Sequence, residues 1–248
     1  MSTSTMMTRI AEGSPRLKAR TAGALYLIII VVASFAEFFV HGQLAVGSDA
    51  AATASNILAH EPLYRLGGAA VLIYLACDTA VALIFYDLFK PVSRSFALLA
   101  AFFRLLMVTI LGVNLLNHFA PLVLLRSSHL TAFTTDQLQA LALVSLRMYG
   151  QGFNIALVFF GFHCVLIGSL IFRSTFLPRV IGVLLAITGV LYLTNSFANF
   201  LAPEFGALLF RYLLPFGLPG ELSLTLWLLV VGVNVQRWND QASSSAVE

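Results

Sequence analysis

Glu37 and His41 stand four residues apart, a spacing that puts both on one face of a helix. A second histidine, His118, falls at a similar depth in a later apolar segment. One carboxylate and two imidazoles are a legitimate ligand set for zinc or a similar divalent metal, and Glu37 and His118 are also candidates for a ligand or proton pathway. A haem held by two histidines fits less well. His118 and His163 differ by about 20 Å in depth, which leaves only His41 with His118 for the two faces of one iron.

A second set is charged. Asp78, Arg104 and His163 each lie nine or ten residues from the charge that ends their segment, Asp87, Arg94 and Arg173 respectively. At about 1.5 Å per residue all three sit roughly 13–15 Å deep. A lone charge at that depth in lipid costs about 2.5–3.5 kcal/mol, so the spacing predicts an Asp78–Arg104 ion pair with His163 as a third member. Such a pair has two readings. It can fix the register of neighbouring helices, or it can handle a ligand or a proton.

Further polar residues gather nearer the opposite face. Glu37, Asn195 and Glu221 come out about 24 Å from the basic side, and Asn114, Asn154, Asn199 and His41 at about 28–32 Å, with His118 a little beyond. Arg104, Asn114 and His118 share one helix face, as do Thr188, Tyr192, Asn195 and Asn199, and Glu221 is four residues from Thr225. Helices with one polar stripe turn it away from lipid. The expectation is a polar cavity at, or just beneath, the outer surface.

These residues are carried by a chain that is 59% hydrophobic and 10% charged, with a mean hydropathy of +0.91. A soluble domain has about a quarter of its residues charged, so the composition describes a polytopic membrane protein. Six stretches are long enough to cross about 30 Å of hydrocarbon, at roughly 21–41, 64–89, 95–121, 150–172, 179–200 and 213–235. The fold class is therefore all-α, a bundle of six transmembrane helices, 21–236, between an N-terminal segment 1–20 and a polar, disordered tail 237–248. Of the 14 basic residues, nine (Arg9, Arg16, Lys18, Arg20, Lys90, Arg94, Arg173, Arg179, Arg237) fall on one side and four (Arg65, Arg126, Arg147, Arg211) on the other. That asymmetry places both termini in the cytoplasm. The basic excess lies at helix ends, which argues for contact with a bilayer and against nucleic acid. Cys77 and Cys164 lie inside apolar segments and read as buried small hydrophobes.

Outer loops carry short interfacial helices. Ser48-Asp49 caps one over 48–60, and Thr134 with Gln137 has capping-box spacing for another. Joined to the fourth span, the second would be too long for one crossing, so Gly150 and Gly152 are read as a break that leaves 136–148 at the interface. Ser34–Phe38 echoes Ser196–Phe200, which raises the idea of a parallel repeat. Ser34 and Ala36 have the small side chains of a signal cleavage site, but the apolar run continues through Val40, too long for a signal core. Gly-rich phosphate loops, GxSxG and HExxH are absent from the sequence, and Gly161, Cys164 and Gly168 have the spacing of close helix packing.

The runs AGALYLIIIVVASFAEFFV, LLAAFFRLLM, GFHCVLIGSLIFRSTFLPRVIGVLLAITGVLYLTNSFANF and GELSLTLWLLVVGV, in this order over roughly 16–235, resemble the bacterial membrane family known as domain of unknown function 4386. The resemblance implies a six-helix inner-membrane protein and supplies no activity. Arg104 and His163 lie in the resembling runs, without a role attached. Three functions stay open: a small-molecule or ion binding and transport module, working as a homodimer because six spans are few for a carrier; a metal-dependent intramembrane enzyme acting on a lipid or small apolar substrate; and a structural or regulatory partner of another membrane protein.

Overall fold

The computed structural model describes residues 14–127 and 129–244, with the side chains of Phe38 and residues 207–217 excepted. The described residues form helices and no strands. Five helices are long and apolar enough to cross a membrane, and six if Leu218–Val230 and Val235–Ser244 count as one bent span. The protein is a polytopic helical membrane protein.

Among the described residues the helices follow in the order α1 (Pro15–Ser34), α2 (Ala50–Ala59), α3 (Glu61–Phe89), α4 (Arg94–Arg126), α5 (Thr135–Arg173), α6 (Arg179–Leu201), α7 (Pro203–Val230) and α8 (Val235–Ser244). Helix α1 continues through a π-helical segment, Phe35–His41, and a last short turn, Gly42–Leu44. Local chemistry explains the starts. Pro15 and Pro203 occupy first positions, where no amide donor is needed. Asp49 caps α2 by accepting from the Ala52 amide, and Thr134 and Gln137 close a capping box on α5.

Three sequence expectations change. Gly150 and Gly152 do not break the chain; α5 runs unbroken for 39 residues, about 58 Å. The physical reason is close approach. A Cβ on Gly152 would lie 2.3 Å from Asn114 Oδ1, and Asn114 Nδ2 donates to the Tyr149 carbonyl at 2.8 Å. Here glycine makes room for a neighbouring helix. The tail is not disordered over 237–244. Gly232, at φ +75°, ends α7, with its amide and that of Val231 both on the Trp227 carbonyl. Asn234 caps α8 at the Arg237 amide, and α8 leaves Leu218–Val230 at 103°. Trp238 Nε1 then donates to the Leu88 carbonyl at 2.9 Å. Residues 245–248 and 1–13 lie outside the described residues. Finally, the echoed pentapeptides differ in form. Phe35–His41 is π-helical, whereas 196–200 lies in the regular helix α6, so the backbone does not repeat.

The chain forms two compact units, Met1–Leu27 with Asp78–Leu106 and Leu157–Glu248, and Ile28–Cys77 with Met107–Ala156. In the first, α5 and α6 touch through glycine. A Cβ on Gly168 would stand 2.6 Å from the Gly182 carbonyl oxygen, and one on Gly161 2.9 Å from that of Gly189. Small residues let backbones meet where lipid offers no hydrophobic drive. At one end of this unit Asp87 receives Lys18 at 2.7 Å and Lys90 at 2.9 Å. The second unit has a core of Val40, Leu44, Ile57, Tyr64 and Leu122. Glu61 binds both Arg65 and Arg126 beside it.

Candidate functional site

In the second unit the π-helical segment carries both Glu37 and His41. Its hydrogen bonds reach five residues back, as from the Gly42 amide to the Glu37 carbonyl. Such segments are rare and concentrate at functional sites. His41 Nδ1 lies 3.0 Å from the Ala36 carbonyl oxygen and 3.8 Å from Glu37 Oε2. His41 Nε2 meets His118 Nδ1 at 2.9 Å, and His118 Nε2 meets the Tyr64 carbonyl at 3.1 Å. Tyrosines frame this chain of contacts. Tyr149 stacks on His41 with centroids 4.4 Å apart and donates its hydroxyl to Glu37 Oε1 at 3.0 Å. Tyr64 stacks on His118 at 4.3 Å and returns a hydroxyl hydrogen bond to the His118 carbonyl. Asn117 Nδ2 donates to Asn114 Oδ1 at 3.0 Å. His118 is fully buried, while the side chains of His41 and Glu37 keep 13% and 28% exposure. Exposure thus falls along the cluster from the carboxylate to the second imidazole.

The first unit holds the charged set. Arg104 Nε donates to Asp78 Oδ1 at 2.8 Å, and Nη2 donates to the same oxygen. Arg104 Nη1 lies 3.0 Å from His163 Nε2. An arginine only donates, so His163 Nε2 accepts and its Nδ1–H donates to the Ala100 carbonyl at 2.8 Å. That assignment gives one neutral tautomer. The guanidinium is enclosed by the rings of Tyr26, Phe160 and Phe85, at 4.7, 5.6 and 5.7 Å, in cation–π geometry. Tyr26 also donates to Glu221 Oε2 at 3.1 Å, and Tyr192 donates to Glu221 Oε1.

The expected Asp78–Arg104 pair with His163 is therefore present. Glu37, His41 and His118 are also brought together. Glu221 is joined through Tyr26 to the Arg104 set. Asn114 supports α5 beside Tyr149, and Asn154 is half-buried in the same unit. Asn195 and Asn199 belong to the first unit, where Asn199 donates to the Asn195 carbonyl at 2.8 Å. The buried Asn195 Oδ1 and Ser196 Oγ have no hydrogen-bond partner among the described residues. Sequence reasoning passed over Tyr26, Tyr64 and Tyr149, counted there with the apolar residues. Their signal is a hydroxyl deep in an apolar segment, which needs a partner.

The metal expectation fails the fit test. The imidazole nitrogens of His41 and His118 face each other and two carbonyl oxygens, and a carbonyl-facing nitrogen must carry a proton instead of a metal. Among the described residues no group of three His, Cys, Asp or Glu is arranged to hold a metal ion.

A family model described as Domain of unknown function (DUF4386) matches residues 21–232. An uncharacterized protein of Archaeoglobus fulgidus is 26% identical over 172 residues, covering 68% of this chain and 85% of its own length. No solved structure matches.

Proposed function

Because the chain belongs to the DUF4386 family, whose description assigns no activity, we propose from the site itself that it is a membrane module that binds and moves a small solute or ion, with protons passing through the Glu37–His41–His118 cluster. The observation that supports this is the graded burial of that cluster. Its carboxylate is partly exposed, its first imidazole is nearly covered, and its second is fully buried. Two hydrogen-bonded imidazoles with a carboxylate 3.8 Å away, within a membrane helix bundle, are costly to keep without a use. The module resides in a bacterial inner membrane, works as a homodimer and has both ends in the cytoplasm; the nine-to-four excess of basic residues supports that orientation.

The test is an imposed pH gradient across proteoliposomes holding the purified protein, read with an entrapped pH dye. The expected result is dissipation at least about tenfold faster than in protein-free vesicles, lost in Glu37→Gln. Equal rates for the parent, Glu37→Gln and empty vesicles would overturn the reading.

The first unit favours a second role. Every nitrogen of Arg104 already has a partner and three rings enclose it. Asp78, Arg104 and His163 act as a clamp on helix register.

A further inference from the structure

The contacts of His41 and His118 allow a count of protons. The chain runs from the Ala36 carbonyl to His41 Nδ1, from His41 Nε2 to His118 Nδ1, and from His118 Nε2 to the Tyr64 carbonyl, at 3.0, 2.9 and 3.1 Å. Carbonyl oxygens only accept, so both outer nitrogens carry hydrogen. The central contact between two ring nitrogens needs one hydrogen as well. Three contacts therefore take three protons, while two neutral imidazoles supply two. We propose that His41 and His118 form a binding site for one proton, held as a single positive charge shared by the pair and balanced by Glu37.

The surroundings suit that charge. On its own helix Glu37 Oε2 lies 3.8 Å from His41 Nδ1, and the Tyr149 hydroxyl on α5 donates to the other carboxylate oxygen, as it does to an anion. From α3 the pair meets the ring and carbonyl of Tyr64, with Tyr74 buried in the same unit; on α4, Asn114 and Asn117 hydrogen-bond to one another. The other charged groups of the unit in contact with one another, Glu61, Arg65 and Arg126, satisfy themselves.

Release has a defined chemistry. The proton on His41 Nδ1 moves to Glu37 Oε2; one N–H bond breaks, one O–H bond forms, and the imidazolium and carboxylate become a neutral ring and a neutral acid. His41 Nδ1 then faces the Ala36 oxygen lone pair to lone pair, so the ring must turn against Tyr149. Glu37 then gives that proton to water at its partly exposed end, leaving a carboxylate beside two neutral rings, and loading reverses both steps. Proton occupancy is in this way coupled to the position of one side chain at the partly exposed end of the cluster. The inference deepens the proposed function and rests on it only for the direction of proton movement.

The experiment is nitrogen NMR of the full chain, labelled with ¹⁵N-histidine, in lipid nanodiscs. The chain has five histidines, and replacing the exposed His60 and His129 simplifies assignment. The expected spectrum shows three N–H groups on the two rings and a nitrogen–nitrogen coupling across the central hydrogen bond. In Glu37→Gln the third proton should leave at lower pH, because the anion that favours the charged form is gone. Two neutral rings with one proton each, at every pH between about 5 and 8, would overturn the site. A loaded pair in a protein that dissipates no gradient supports the site and removes the transport reading. Dissipation with two neutral rings does the opposite.

Discussion

Each of the two units buries histidine beside a carboxylate, with opposite consequences. His163 stands between a donor that cannot accept, Arg104, and an acceptor that cannot donate, the Ala100 carbonyl. Its two neighbours ask for one proton, and one neutral ring supplies it. His41 and His118 stand between two acceptors and ask for one proton too many. Burial alone does not separate a locked histidine from a working one, since His163 and His118 are both fully buried. The hydrogen-bonding character of the neighbours does.

The sharpest way to break the comparison is to cut the locked set. Asp78→Ala or Arg104→Ala leaves an uncompensated buried charge and should cost about 3–5 kcal/mol, read as loss of folded protein in detergent by thermal melting. The charge swap Asp78→Arg with Arg104→Asp should recover part of that loss. A swap no more stable than either single variant would show that the two residues do not act as a pair. Next in size is Gly152→Leu, which forces Asn114 away from the Tyr149 carbonyl. Overpacking of this kind costs about 1–3 kcal/mol, and it should also weaken proton dissipation by displacing Tyr149 from Glu37. An unchanged melting temperature would mean that α4 and α5 do not meet there. Glu37→Gln should be milder for the fold, about 1 kcal/mol or less, while abolishing proton movement. If instead it melts the protein as severely as Arg104→Ala, the two clusters are alike and the contrast fails. Smallest is Trp238→Phe, which removes one hydrogen bond to the Leu88 carbonyl, about 0.5–1.5 kcal/mol. It should speed proteolysis within α8 and leave both clusters intact.

How much was legible follows from the number of alternatives each residue had. Asp78 and Arg104 were readable as partners because an apolar segment offers a charge so few others. The caps at Asp49 and Thr134 were readable because they are local, complete within four residues. Gly152 was misread because its signal is ambiguous in isolation. The residue that decides between break and close approach, Asn114, is 38 positions away. Helix α8 was lost to its polar composition, although Gly232 and Asn234 spelled out a stop and a new start. Glu221 was placed by depth arithmetic alone, and the residue that ties it to Arg104, Tyr26, had been counted as apolar. The π-helical form of Phe35–His41 had no propensity signature at all. It is a matter of one residue too many in a turn, and apolar side chains fit either geometry.

That surplus residue makes this stretch sensitive to length as well as to identity. Removing one apolar residue between Phe38 and Val40 would let the chain resume the ordinary helical ladder, with no polar group lost and hydropathy nearly unchanged. Everything after the deletion would keep its facing, because the wide turn already absorbs that residue; one further residue inserted there, with no second wide turn to absorb it, would rotate everything after it by about 100° about the helix axis. His41 would then leave His118, and Val40, buried at 0% exposure, would leave the core of Tyr64 and Leu122. A single added codon here should therefore silence the site as completely as replacing both histidines, while an insertion in the polar stretch before α2 should pass almost unnoticed.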